Sequence, residues 1–265
     1  MRFGTRPAVA TLVVAALVGG CSSPAPAPRA SYDIDQLVAA VAQRQRTDQT
    51  ARLSLRGEIT GRATLQFTGE GVIRVLTDAV SVKFTQVVTQ KGAPPQETGF
   101  VVLPDTTYLR LPPPRGQNPS SRPWVRVNPH STDPAAQRLA GLATTLTESA
   151  DPTRSLARYA GATAVSAAAE DVIDGDPAMR YTIVTDLTRA AAQQRDPAAK
   201  AQLEQQVKAG LTTVTSTLWV DPSDRPVRSA VRQELPGIGT LAITGSYRDW
   251  GGPVDIEPPP TAQVR

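Results

Sequence analysis

The sequence predicts an α+β fold: a curved antiparallel β half-barrel wrapped over helices. Three observations carry this. Apolar and polar residues alternate with period two in segment after segment, the pattern of strands with one wet face. Asp-Pro pairs at 133–134, 151–152 and 196–197 each put a capping carboxylate before a proline suited to the first helical position. The apolar strand faces outnumber the helices able to cover them, so the sheet must curve around something. Side chains or a ligand would fill the concave face equally well, and periodicity alone leaves the two open.

The chain opens with Arg2, Arg6 and an apolar run over residues 8–18, the layout of a cleaved secretory signal. That run is too short to cross about 30 Å of hydrocarbon as a permanent helix, which takes about 20 apolar residues. Leu17-Val18-Gly19-Gly20-Cys21 follows and looks like a lipobox, in which small residues admit a peptidase and the cysteine thiol takes a diacylglyceryl group. Residues 1–20 are therefore expected to be a signal peptide and Cys21 the lipidated first residue of the mature protein. Cys21 is the only cysteine, so no disulfide within the chain competes for it. Residues 21–32 alternate proline with small residues and predict an extended tether, rising about 3 Å per residue as polyproline II. The expected location is extracytoplasmic, lipid-anchored at the cell membrane. The formal net charge is +4, two of it from Arg2 and Arg6. No basic stripe with interleaved aromatics marks a nucleic-acid reader.

The folded part is expected to be one domain over 33–256. Ile34, Leu37, Val38 and Val41 fall at i, i+3, i+4 and i+7 behind Asp33, which predicts a capped amphipathic helix. From Thr50 the period becomes two. Leu53, Leu55, Gly57 and Ile59 share one strand face, as do Ala63, Leu65 and Phe67, and Val80, Val82 and Phe84. Shorter strands are predicted over 100–103, 106–111 and 124–127. The Asp133-Pro134 pair predicts a helix with Leu139, Leu142, Ala143 and Leu146 on one face. The Asp196-Pro197 pair predicts one carrying Leu203 and Val207, stopped by Gly210. Residues 162–173 and 179–184 suit a hairpin turned at Asp174-Gly175. Strands over 211–220, 226–235 and 238–250 close the domain, with Tyr247 on the face of Leu241 and Ile243. Trp219, Tyr247 and Trp250 suit ordinary packing at least as well as a ligand site, and the sequence leaves the two open. Residues 257–265 predict a tail, because Pro258, Pro259 and Pro260 have no N–H for a sheet ladder.

Leu218-Trp219-Val220-Asp221, Asp224-Arg225-Pro226-Val227 and Tyr247-Arg248-Asp249-Trp250-Gly251-Gly252-Pro253-Val254-Asp255-Ile256 resemble the closing strands of the mycobacterial LppX/LprG/LprA/LprF lipoproteins. The Val172-Ile173-Asp174-Gly175-Asp176 hairpin, the Met179-Arg180-Tyr181-Thr182 strand and the helix that follows are similar to that family's layout too. The resemblance spans 33–256, with its sharp motifs after residue 170, and the proline-rich loop at 112–123 departs from it. It implies a LolA/LolB-like fold with an apolar cavity. It further implies a membrane-anchored lipoprotein that binds acylated lipids or lipoglycans there and carries them within the cell envelope. The partners so implied are that lipid or lipoglycan, the membrane through the anchor, and a membrane transporter. A sensor or scaffold lipoprotein is the alternative, binding a protein through the sheet surface or the 112–123 loop. Combining strand faces with the resemblance, the expected cavity lining is Leu53, Leu55, Leu65, Phe67, Val80, Val82, Phe84, Ile183, Leu241, Ile243 and Tyr247.

Catalytic chemistry is unmarked, so no enzymatic activity, cofactor or metal is expected. The single histidine, His130, lies in Asn128-Pro129-His130, a loop context with no second histidine or cysteine to share a metal. Neither a G-x-S-x-G elbow nor a P-loop occurs. Glu170, Asp171, Asp174 and Asp176 miss the EF-hand spacing and suit an acid-rich turn.

Overall fold

The computed structural model describes residues 33–61, 64–77, 79–113, 120–127 and 140–265, apart from 142, 145, 148 and 149. The predicted signal peptide, Cys21, the tether, Ala63, His130, Leu139 and Leu142 lie outside the described residues.

Helix α1 (Ile34–Asp48) starts as its sequence dictates: the Asp33 carboxylate accepts from the amides of Asp35 and Gln36 at 2.8 and 3.2 Å. Six strands follow, β1 (Thr50–Gly61), β2 (Leu65–Val75), β3 (Val80–Gln90), β4 (Gln96–Leu103), β5 (Thr106–Arg110) and β6 (Trp124–Val127). Ala140, Ala143, Leu146 and Ala150 are helical. Then come α2 (Pro152–Arg158), β7 (Thr163–Ile173), β8 (Asp176–Asp186), α3 (Leu187–Gln193), α4 (Pro197–Lys208), β9 (Thr213–Val220), β10 (Pro226–Leu235) and β11 (Gly239–Arg248). The expected Asp151-Pro152 and Asp196-Pro197 starts are both present, each carboxylate accepting from a backbone amide of the first turn. At the β7–β8 turn Asp174 and Gly175 take φ of 55° and 98°, the left-handed pair that matches the twist of a two-residue hairpin.

All eleven strands form one open, curved sheet in the order β6-β5-β4-β3-β2-β1-β11-β10-β9-β8-β7. Two antiparallel meanders, β1–β6 and β7–β11, join where β1 pairs with β11. This is the predicted α+β class. Helix α3 is the element that periodicity did not reveal. It is short, its buried residues are Leu187, Ala190 and Ala191, and its cap is the last residue of β8, Asp186.

The buried residues on the concave side fall into two main clusters. One holds Leu53, Leu55, Phe67, Ile73, Val80, Val82, Phe84, Phe100, Leu109 and Tyr247 together with helical Ala143, Leu146 and Ala150. The other packs Leu37 and Val41 of α1 and Leu156 of α2 against Met179, Tyr181, Ile183, Leu218 and Val220. Asp48, at the end of α1, is the link between that helix and the β9–β10 turn. Its carboxylate accepts from Arg44 at 2.8 and 2.9 Å and from Arg225 at 2.7 and 3.4 Å. Burial pushes its pKa up, but hydrogen bonds from Arg225 and Arg44 outweigh that and hold it below the usual carboxylate range.

The proline-rich end is bound rather than loose. After β11 the chain crosses the convex face, where the Gly251 amide donates to Thr50 O at 2.9 Å, Arg74 to Val254 O at 3.1 Å and Lys83 to Asp255 at 3.0 Å. The prolines stay out of the ladder, as their missing N–H requires. Val264 nevertheless bridges Trp124 in parallel, with the Arg265 amide donating to Trp124 O at 2.9 Å and that of Arg126 to Arg265 O at 3.3 Å. The last residues thereby cover the edge of β6.

Candidate functional site

Glycines and phenylalanines divide the concave face into a filled half and an open seam. In the strand register Phe67 lies opposite Gly57, and Phe84 opposite Gly71. A Cβ placed on Gly57 would come within 2.1 Å of the Phe67 ring, and one on Gly69 within 2.3 Å of the Phe84 ring. Each ring therefore lies on the bare backbone of its neighbour. Side chains fill the face over these strands, while a second cavity of about 250 Å³ opens nearer its β4–β6 end, between Val102, Thr107 and Val127 and the helical stretch of Ala140, Ala143 and Thr147.

Between the two clusters run β10 and β11. Here Gly245 is flanked in register by Leu55 of β1 and Ser229 of β10, and no ring covers it. A Cβ on Gly245 would meet Ser229 Oγ at 3.1 Å, Tyr247 Oη at 3.8 Å and Leu53 Cδ1 at 3.9 Å. A cavity of about 250 Å³ occupies the seam. Its floor is Leu55, Ile183, Ser216, Leu218, Ser229, Val231, Ile243 and Gly245, and Pro152, Ser155 and Leu156 of α2 roof it. Asp151 fixes that roof: 4% exposed, it accepts from the Thr153 amide at 3.1 Å and the Thr153 hydroxyl at 2.6 Å.

Of the residues expected to line a cavity, Leu55, Ile183 and Ile243 do so. Leu53, Phe67, Val80, Val82, Phe84 and Tyr247 share the concave face but are buried in the first cluster, Val82 completely at 0% exposure. Leu65 and Leu241 are half-buried against that cluster. The physical reason is the helical stretch with Ala143, Leu146 and Ala150, which joins the same cluster and which strand parity cannot foresee. Strand faces alone did not identify Gly245, Ser216, Ser229, Val231 or the α2 roof. The available signal was a break in pattern: Ser216 falls on the parity of Val214, Leu218 and Val220.

The site is uncharged. The Tyr247 phenol is buried, and that burial pushes its pKa far above the ordinary value despite a hydrogen-bonding contact with Ser229 at 3.5 Å. It stays neutral at any physiological pH.

The opposite, convex face carries a larger groove, about 1120 Å³, lined by Ser54, Arg56, Asp174, Arg228, Thr244, Ser246, Arg248 and Asp249 among others. Its charges are substantially paired, Arg228 with Asp174 at 3.3 Å and the nearby Arg52 with Asp249 at 3.2 Å. On the same face Trp219 Nε1 donates to Asp171 at 2.9 Å, which with the Val172 amide holds that carboxyl below its usual range. Trp250 stacks on Tyr247 with ring centroids 6.1 Å apart and donates to Pro226 O at 3.0 Å. Both tryptophans are thus engaged in packing and hydrogen bonds. Among the described residues no group of three or more His, Cys, Asp or Glu side chains could hold a metal ion, and no helix is long and apolar enough to cross a membrane.

No protein-family model and no curated protein sequence matches the chain. Solved structures do. LprF from Mycobacterium bovis is similar at 14% identity over 88% of this chain and 99% of that one, with a TM-score of 0.47. The Pseudomonas aeruginosa MucA/MucB complex is similar at 15% identity, with a TM-score of 0.36; 81% of this chain is covered but only 55% of that one. A LolA superfamily protein from Nitrosomonas europaea is similar at 11% identity over 83% of this chain and 93% of that one, with a TM-score of 0.22.

Proposed function

We propose that the protein is a membrane-anchored lipoprotein that holds an acyl chain in the seam cavity and carries it within the cell envelope, without catalysing a reaction. The observation that carries this reading is the unfilled, largely apolar space over Gly245, set between the two main clusters of buried side chains. Atoms lining an empty apolar space forfeit dispersion contacts, and an apolar occupant restores them. At about 250 Å³ the space is smaller than most ligand sites, which run to about 300–1,000 Å³, so it suits one chain rather than several. Each buried methylene contributes about 0.8 kcal/mol. Eight of them give roughly 6 kcal/mol, an affinity weak enough for a carrier that must release its cargo. The lipobox at Cys21 and the proline-rich tether support an anchored, extracytoplasmic placement. The family resemblance supports an acylated lipid or lipoglycan as cargo and a membrane transporter as partner.

The test uses the full chain with Cys21→Ala, so that recovered lipid cannot come from its own anchor. Native mass spectrometry and solvent extraction should find about one acyl-bearing molecule per protein, or a fluorescent fatty acid should bind one to one. Protein that purifies empty and takes up no fatty acid at about 100 µM, a few times the roughly 40 µM Kd that 6 kcal/mol corresponds to, would defeat the reading. The charged convex groove favours a second reading, a scaffold for a protein partner. That role predicts the same empty cavity together with a protein captured through Arg56 and Arg248.

A further inference from the structure

We infer that the cavity is built for a single-chain amphiphile whose hydrogen-bonding group, a hydroxyl, ester or carboxyl, sits inside it beside Ser216 and Ser229. This deepens the lipid-binding reading and rests on it. Where Gly57 and Gly71 lie on the same concave face, the residue opposite each is a phenylalanine whose ring fills the space. Opposite Gly245 the residue is Ser229. On the next strand, Ser216 pairs with Val231 while Ser229 pairs with Leu218. The two serines are therefore diagonal neighbours on one face, roughly 7 Å apart.

Both line the cavity, and both are only half-buried because the cavity is open to them. Ser229 has one side-chain contact, to Tyr247 Oη at 3.5 Å, the outer limit of a hydrogen bond. Ser216 Oγ has no partner among the described residues. The third cavity serine, Ser155, is occupied by the Pro152 carbonyl of its own helix at 3.2 Å. Once an acyl chain displaces water from the cavity, hydroxyls left facing it without partners are unfavourable. Alanine would fill these two positions without that penalty, and phenylalanine would fill the space. An occupant bearing one polar atom between the two serines satisfies both while its chain covers Leu55, Val231 and Ile243.

The experiment is competition of 1-decanol and n-decane against a bound fluorescent fatty acid, on the full chain with Cys21→Ala. The two competitors share a chain and differ by one hydroxyl. In a Ser216→Ala/Ser229→Ala variant, decanol binding should weaken about tenfold, a few-fold per lost hydrogen bond, while decane binding holds or tightens. Ser229→Thr keeps a hydroxyl and should retain most of the decanol preference. Thermal unfolding checks that each variant is folded, and the single alanine variants serve if the double one is not. A decanol-to-decane ratio unchanged by the alanine substitutions overturns the inference, whether the serines hold only water or nothing. Ser229→Phe separates this from the broader reading. If it abolishes binding of both competitors while the alanine variants leave the ratio unchanged, the acyl site stands and the polar subsite falls. If both competitors still bind, both ideas fall together.

Discussion

Ser229→Phe is the most direct perturbation of the seam, because the molecule already contains its template. Phe67 over Gly57 and Phe84 over Gly71 show that a ring fits flat on a bare strand backbone of this sheet. Ser229 stands in the corresponding position, with its Oγ 3.1 Å from where a Gly245 Cβ would be. A buried aromatic side chain covers about 150–250 Å². At about 25 cal/mol per Å² the gross gain is roughly 4–6 kcal/mol, an upper bound because unfolded chains already bury part of that surface. The loss is one weak contact to Tyr247. Were the seam a filled core instead, the added ring would force neighbours aside at about 1–3 kcal/mol. The sign of the stability change therefore separates the two cases. For a domain of this size 1 kcal/mol moves Tm by about 2–4 °C. Thermal unfolding of ligand-free protein should give an unchanged or higher Tm, and added fatty acid should no longer raise it. In the parent protein, ligand at 100 times Kd stabilises by about 2.7 kcal/mol, several degrees of shift to lose. A Tm lowered by about 5 °C or more, with the fatty-acid shift retained, would refute the assignment of the cavity to this seam.

Val82→Trp should behave oppositely: at 0% exposure inside the first cluster, it should lose about 3 kcal/mol or fail to fold, with lipid occupancy of any folded fraction unchanged, read by calorimetry and native mass spectrometry. Asp48→Asn should cost about 2 kcal/mol near neutral pH, since hydrogen bonds to charged groups are worth about 1.5–3 and this side chain is 9% exposed. Because the folded-state pKa of Asp48 is depressed, its contribution is complete above the unfolded value near 4 and disappears as pH falls through the lower folded value. Urea titrations from pH 6 downward should accordingly show a flatter acid limb in Asp48→Asn than in the parent. Ending the chain after Pro260 should strip the Arg265 carbonyl from the Arg126 amide, and hydrogen exchange at Arg126 should speed up at least tenfold while β1 is unaffected. Cys21→Ala should release the protein from membranes or leave it uncleaved, and an unmodified cysteine in the mature native protein, read by mass spectrometry, would count against the lipobox.

Much of the fold is local and therefore legible. Ile34, Leu37, Val38 and Val41 can share a face only on a helix, and Asp33 caps it as expected. The Asp174-Gly175 pair suits a left-handed turn, and the hairpin turns there. What residue periodicity missed depends on distant partners. Gln96-Glu97-Thr98 carries no apolar alternation, yet β4 begins there because β3 offers a ladder as far as Val88. Leu187–Gln193 is too short to show a period, and is helical because Asp186 caps it and Leu203 of α4 packs with Leu187 and Ala190. The course of the proline-rich end is illegible for the same reason. Nothing in Val264-Arg265 announces an edge strand, and the pairing exists because the exposed edge of β6 lies at the end of the path taken by residues 251–263.

The site was legible in its surface chemistry but not in its location. Strand parity gathered Leu53, Leu55, Phe67, Val82, Phe84 and Ile243 onto one face, and they do share it. Parity cannot tell which part of that face a helix will cover, because coverage depends on how the segment around Ala143 and Leu146 returns to the sheet. An apolar residue on a strand face is the same letter whether it touches a helix or a cavity. Small and polar residues at inward positions are more informative. Glycine removes volume, serine adds a hydrogen-bonding group, and a closely packed interior has a use for either only where something else supplies the missing contact. Gly57 and Gly71 are answered within the chain by Phe67 and Phe84. No ring answers Gly245, Ser216 Oγ has no partner among the described residues, Ser229 has only a 3.5 Å contact to Tyr247, and all three line the space between the two cores. In a curved sheet of this kind, the inward residues that fail to match a partner across the strands locate the cavity better than the apolar residues that succeed.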